Sequence, residues 1–104
     1  MSKLQKKKNG YGQMEYEVEV KLGETTIYLI YMPSSDSIDI PTFESWLQEL
    51  QWKDPDELAD KIWHTVMGEI SPMFISVQVT RGGLKVNKPA IYAPNYDPAC
   101  YGVK

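Results

Sequence analysis

From Met14 to Leu22 apolar and polar residues alternate strictly, with Met14, Tyr16, Val18, Val20 and Leu22 on one side and Glu15, Glu17, Glu19 and Lys21 on the other. A period of two predicts a half-buried strand. After a Gly23-Glu24 turn, Thr25 to Met32 reads TTIYLIYM, a β-rich run with apolar residues on both faces. It is expected to close a hairpin with the first strand and to need a cover for its second face. The Pro33 to Ser37 segment predicts a polar loop, because Pro with Ser and Asp neighbours disfavours a continuing strand.

Phe43, Trp46, Leu47 and Leu50 follow i, i+3, i+4, i+7 spacing and predict a short helix, with Pro41 acceptable in its first turn. Asp54-Pro55-Asp56-Glu57 joins a capping residue, Pro at the first helical position and Glu three residues after the cap. A second helix is expected from there. Its stripe of Leu58, Ala59, Ile62, Trp63, Val66, Met67 and Ile70 runs to Ser71-Pro72, where Pro ends it. Phe74 to Thr80 alternates again, Gly82-Gly83 can supply positive φ in a tight turn, and Leu84 to Val86 predicts a short return strand. Interruptions by Pro and Asn after Pro89, among Tyr92, Tyr96 and Tyr101, predict an irregular tail.

The order ββααββ predicts an α+β layer structure, a four-stranded antiparallel sheet with two helices on one face. The expected divisions are a basic flexible arm over 1–12, a single domain over 13–88 and a Pro/Tyr-rich tail over 89–104. Strands apolar on both faces, beside unpaired edges, point to a homo-oligomer that pairs the edges and covers the second face. The alternative is a monomer whose tail, Pro89 to Lys104, covers the exposed side.

Composition narrows the function classes. The chain of 104 residues has one cysteine, Cys100, so an intrachain disulfide and a Cys-rich zinc site are both excluded, and a reducing, cytoplasmic location is expected. Met1 to Lys8 is basic but leads into no apolar run, so neither export nor membrane insertion is expected. Lys3, Lys6, Lys7 and Lys8 supply four of the eleven positive charges, which leaves residues 9–104 with seven positives against fourteen negatives. Such an acidic body repels phosphate backbones and argues against nucleic-acid binding.

The stretch DELADKIWHTVMGEISPMFISVQVTRGGLKV is similar to the second-helix and second-hairpin region of the QueF family, and the order of elements looks like that family's tunnelling fold. The family's His-Glu, apolar helix, Pro, aromatic, strand, Arg-Gly-Gly succession is represented here by Asp56-Glu57, the helix, Ser71-Pro72-Met73-Phe74 and Arg81-Gly82-Gly83. Tyr31-Met32-Pro33 resembles the triplet that ends the family's second strand, so the likeness spans residues 14–86. Members act on 7-cyano-7-deazaguanine, reducing its nitrile with NADPH for queuosine or adding ammonia to it within tRNA for archaeosine. Both chemistries use a cysteine thiolate, an aspartate proton donor and a glutamate that grips the base. A weakly electrophilic nitrile carbon needs a nucleophile that is readily ionised near neutral pH.

The resemblance puts the nucleophile's position at Tyr16 and the proton donor's at Gly23, and neither can substitute. The cofactor lysines would fall near Pro41 and Glu44, so no NADPH is expected. Glu57 remains at the base-gripping position, with Asp56 beside it in place of histidine. The implied protein is an oligomeric member of 7-deazaguanine metabolism that takes a purine-like or pterin-like ligand at a subunit interface. Only tRNA enters as a nucleic-acid partner, by family analogy, and enzymatic status stays open. The alternative is a non-catalytic tunnelling-fold binding or interaction protein of phage or mobile-element origin.

The candidate residues have plainer readings too. Capping alone explains Glu57. Arg81 has the fork to hold an anion, although an ion pair is the commoner outcome. Cys100 is a weak catalytic candidate, since no basic neighbour lowers its pKa. His64, without a His or Cys partner at ligand spacing, predicts solvent or an interface and no metal.

Overall fold

A computed structural model describes residues 4–10 and 14–92, the last four of these, 89–92, by backbone alone. The chain is α+β, with strands β1 (Lys6–Lys8), β2 (Tyr16–Leu22), β3 (Thr25–Met32) and β4 (Asp36–Ile38), helices α1 (Ile40–Glu49) and α2 (Pro55–Ile70), then β5 (Phe74–Arg81) and β6 (Leu84–Tyr92). Four strands form an antiparallel sheet in the order β2-β3-β5-β6, and β1 and β4 form a separate two-stranded antiparallel ribbon. Among the described residues, no helix is long and apolar enough to cross a membrane.

Both hairpins turn on glycine. Leu22 pairs with Thr25 and Arg81 with Leu84, leaving two-residue loops whose first residues, Gly23 and Gly82, have φ of 62° and 60°. Positive φ at the first loop position matches the twist of the flanking strands and costs glycine no Cβ clash. The alternation expected of β5 is complete, with Ile75, Val77 and Val79 buried, and β3, read as apolar on both faces, is buried on one: Ile27, Leu29 and Tyr31 are buried while Tyr28, Ile30 and Met32 are half-buried. α2 packs on β5 and lays Leu58, Ile62 and Val66 into the same core, to which α1 adds Phe43 and Leu47. The other face of the sheet carries Thr26, Tyr28, Ile30 and Met32 from β3 and Ser76, Gln78 and Thr80 from β5, none of them buried.

Three segments differ from the sequence-based expectation. The Lys-rich start is tied down rather than an arm over Leu4 to Asn9. Leu4 is 2% exposed, Asp39 N–H donates to Gln5 C=O at 3.0 Å, and Asn9 N–H donates to Ser35 C=O at 2.9 Å. The loop expected over Pro33 to Ser37 is correspondingly shorter, since β4 begins at Asp36. The third difference is β6, which continues to Tyr92 instead of ending at Val86, so the irregular tail does not begin at Pro89. Val77 pairs with Lys88 but Ile75 with Ile91, so β6 accommodates one extra residue beside Pro89. An edge strand at a bulge tolerates a residue without an N–H, which is why Pro89 does not terminate pairing.

Candidate functional site

The sheet presents chemistry at both ends. After Ile70, β5 runs back along α2, so Arg81 at its close returns to the end of the domain where α2 starts. The Arg81 guanidinium lies 5.7 Å from the centroid of Trp52, two residues ahead of the Asp54 cap. The expected ion pair is not what holds Arg81: among the described residues the contact is cation–π, worth about 0.5–1 kcal/mol at an exposed site.

Asp54 caps α2 by accepting the Glu57 N–H at 2.9 Å. Glu57 reaches back in return, its Oε1 accepting the Lys53 N–H at 2.9 Å and its Oε2 pairing with Lys61 Nζ at 3.1 Å. The Lys53 N–H, with the Lys61 ammonium next, holds the Glu57 carboxyl below its usual range, so it is ionised at neutral pH. Capping thus explains its geometry, yet a carboxylate offers about four acceptor sites and two are used here. Asp56, beside it, is exposed. Glu57, Asp56 and Arg81 therefore share one end of the domain, whereas Cys100 lies outside the described residues.

His64 is on the exposed side of α2, its Nε2 3.2 Å from Asp60 Oδ1. The same oxygen accepts Lys88 Nζ at 3.0 Å, and this bond is the main cause of the lowered Asp60 pKa. Lys88 also stands 5.1 Å from the Trp63 ring centroid. The group is an exposed charge network tying α2 to β6. Among the described residues, no cluster of three or more His, Cys, Asp or Glu is arranged to hold a metal.

At the opposite end lies a cleft of about 400 Å³ between the β1–β4 ribbon and edge strand β2. Tyr16 and Tyr31 form one wall, with ring centroids 5.5 Å apart and planes tilted by 33°. Ile38 and Ile40 close the floor, and β1 borders the cleft with Lys7 and Lys8, whose side chains leave opposite faces of the strand. Sequence reading does not find this cleft, because it depends on pairing three lysines with a three-residue strand about 30 residues away, and neither segment alternates. Its most legible member is Tyr16, which the resemblance singled out only as a missing cysteine.

No protein-family model matches the chain, and no curated protein matches it significantly.

Proposed function

We propose that this chain is a QueF-like, tunnelling-fold subunit that assembles through its sheet edges in the cytoplasm and binds a purine-like or pterin-like ligand of 7-deazaguanine metabolism where copies meet. The observation that carries the reading is Glu57, an ionised carboxylate with unused acceptor sites at the start of α2, on the same end of the domain as Arg81 and the Trp52 ring. A carboxylate accepts paired N–H groups from the edge of a guanine-like ring, and an aromatic surface nearby favours a planar guest. Two further features support assembly. β2 and β6 are the sheet's outer strands, and the sheet's second face keeps Ile30 and Met32 partly exposed. Edges and faces of this kind are satisfied by further copies.

Tyr16 favours the non-catalytic form of this reading. It occupies the position of the family's nucleophile and packs against Tyr31, and Gly23, at the position of the proton donor, is a turn residue at φ 62°. Neither can attack a nitrile or deliver a proton to it. The subunit binds its ligand, and tRNA belongs to the picture only through the family.

Thermal unfolding in the presence of 7-cyano-7-deazaguanine, guanine or a pterin tests the reading. A ligand at 100 times its Kd adds about 2.7 kcal/mol. Stabilisation by one of the three that is lost in Glu57→Gln is the expected result, and no shift with any of them overturns ligand binding. Light scattering should give a multiple of 11.9 kDa. A monomer would overturn the assembly.

A further inference from the structure

We propose that the cleft between the β1–β4 ribbon and β2 is a second binding site, one that takes a planar aromatic ring bearing a carboxylate. At about 400 Å³ it falls within the range of small-molecule sites. Its walls are tyrosine and aliphatic: Tyr16 and Tyr31 on one side, Val18, Ile38 and Ile40 around them. The buried polar groups are already satisfied. Tyr31 Oη accepts the Ile38 N–H at 3.2 Å, and Ser37 Oγ donates to Lys7 C=O at 3.5 Å. An entering ring therefore strands no polar atom in the wall, which is the condition for an apolar guest.

The rim determines the charge of the guest. Of the three lysines in β1, Lys6 is paired with Asp36 at 3.6 Å, but Lys7 and Lys8 have no carboxylate partner among the described residues. Glu17 borders the cleft from β2, yet its carboxylate is on the other face of the sheet, where it accepts the Tyr28 hydroxyl. Lys7 and Lys8 are consecutive in β1, so their side chains leave opposite faces of the ribbon and the rim turns one ammonium toward the apolar slot, in a body that is otherwise acidic. A cleft lined by one sign of charge over low-dielectric walls focuses its field on an incoming counter-charge. The ring fills the tyrosine-lined slot, and the carboxylate stays at the wet rim beside the lysine of β1 that turns to it.

This site is separate from the one at Glu57. Tyr31 pairs with Ile75 near the start of β5, whereas Arg81 ends that strand, a separation of roughly 20 Å along the sheet. Its success or failure is therefore independent of the reading above.

The test titrates the full chain with indole-3-acetate and with indole-3-acetamide, which carries the same ring without the charge, and follows backbone amides by NMR. The expected result is saturable shifts at Lys7, Tyr16, Val18 and Ile38 with the acetate. Binding of the acetamide should be weaker by about fivefold or more, and the double variant Lys7→Glu, Lys8→Glu should lose about tenfold in affinity for the acetate. Both lysines are exposed, and the milder pair Lys7→Gln, Lys8→Gln gives the same ranking without adding negative charge. Tyr16→Ala should weaken both ligands, and Glu57→Gln should leave both unchanged. Equal affinity for the two ligands, undiminished binding after charge reversal, or shifts absent from these amides would overturn the proposal. A chain that binds the purines but not indole-3-acetate fails this proposal alone.

Discussion

The hydroxyl of Tyr31 accepts the backbone N–H of Ile38 at 3.2 Å, with both residues 2% exposed or less. This bond joins the two sheets. Tyr31 stands in β3, at the centre of the four-stranded sheet, and Ile38 ends β4, the inner strand of the ribbon. The same pair shapes the cleft, since the Tyr31 ring forms its wall and Ile38 its floor.

Tyr31→Phe keeps the ring and removes the acceptor, so the Ile38 N–H is left buried without a partner. That should cost about 1–3 kcal/mol in chemical denaturation. Hydrogen exchange should quicken at Ile38 while the β3–β5 amides stay protected. The same tyrosine sets an alkaline dependence. Burial raises its pKa, and the Ile38 N–H, which favours the phenolate, offsets only part of that rise. The folded state therefore keeps the proton to higher pH than the unfolded chain, whose tyrosines titrate near about 10. The stability this provides is intact below that value and is lost as pH rises through the folded pKa. Denaturation curves collected upward from pH 9 should fall less steeply for Tyr31→Phe than for the parent chain, and parallel curves would exclude this origin.

How far the sequence foretells the structure depends on whether a signal is local. The two glycine hairpins and α2 are legible because alternation, a stripe at helical spacing and the Asp54-Pro55 start all act within a few residues. The β1–β4 ribbon is not. Its order comes from Leu4 in the core and from Tyr31 across the chain, and three consecutive lysines carry no trace of either. Pro89 misleads for a related reason: its effect depends on β6 being an edge, which only the sheet order decides. At the site, Glu57 was legible as a cap and Arg81 as a turn-flanking cation. The cation–π contact of Arg81 with Trp52 was not, because the two are brought together only when β5 folds back on α2.

The two helix caps should differ in worth. Asp54 accepts the Glu57 N–H at 2.9 Å, whereas Asp39 accepts the Thr42 N–H at a longer 3.4 Å, with the Thr42 hydroxyl donating back to Asp39 C=O at 2.9 Å. Asp54→Ala should cost about 1 kcal/mol, the usual worth of an N-cap. Asp39→Ala should cost less, because its side-chain bond is at the limit of useful length. Urea denaturation of the two variants decides the order, and a larger loss for Asp39→Ala would refute it.

Acid sensitivity should trace to α2. The Lys53 N–H lowers the Glu57 pKa and the Lys88 bond lowers that of Asp60. A depressed carboxylate contributes stability above its unfolded pKa and loses it as pH falls through the folded one. Glu57→Gln and Asp60→Asn should each flatten the acid limb of stability against pH, by a small amount because both groups are exposed. Acid limbs that both variants leave unchanged would mean that these two carboxylates do not carry the acid sensitivity.

Ser71 closes α2 in the left-handed region, at φ 43° and ψ 60°, a conformation that costs a residue with a Cβ about 1–2 kcal/mol. Its N–H caps Met67 C=O at 3.1 Å, and Ser34 Oγ donates to Ser71 C=O at 3.0 Å from the far side of the β3–β4 connection. Glycine would keep both backbone bonds and remove the steric cost, at the expense of greater freedom in the unfolded chain and of a long hydroxyl contact to Met67 C=O at 3.4 Å. The balance favours glycine: Ser71→Gly should raise stability by about 0.5 kcal/mol, and Ser71→Ala, which keeps the strain and loses the hydroxyl, should lower it. Ser34→Ala should lower it too, by about 0.5–1.5 kcal/mol, because the carbonyls at the end of α2 then rely on water. If Ser71→Gly proves less stable than Ser71→Ala, the left-handed cap is not the conformation that limits this end of the helix.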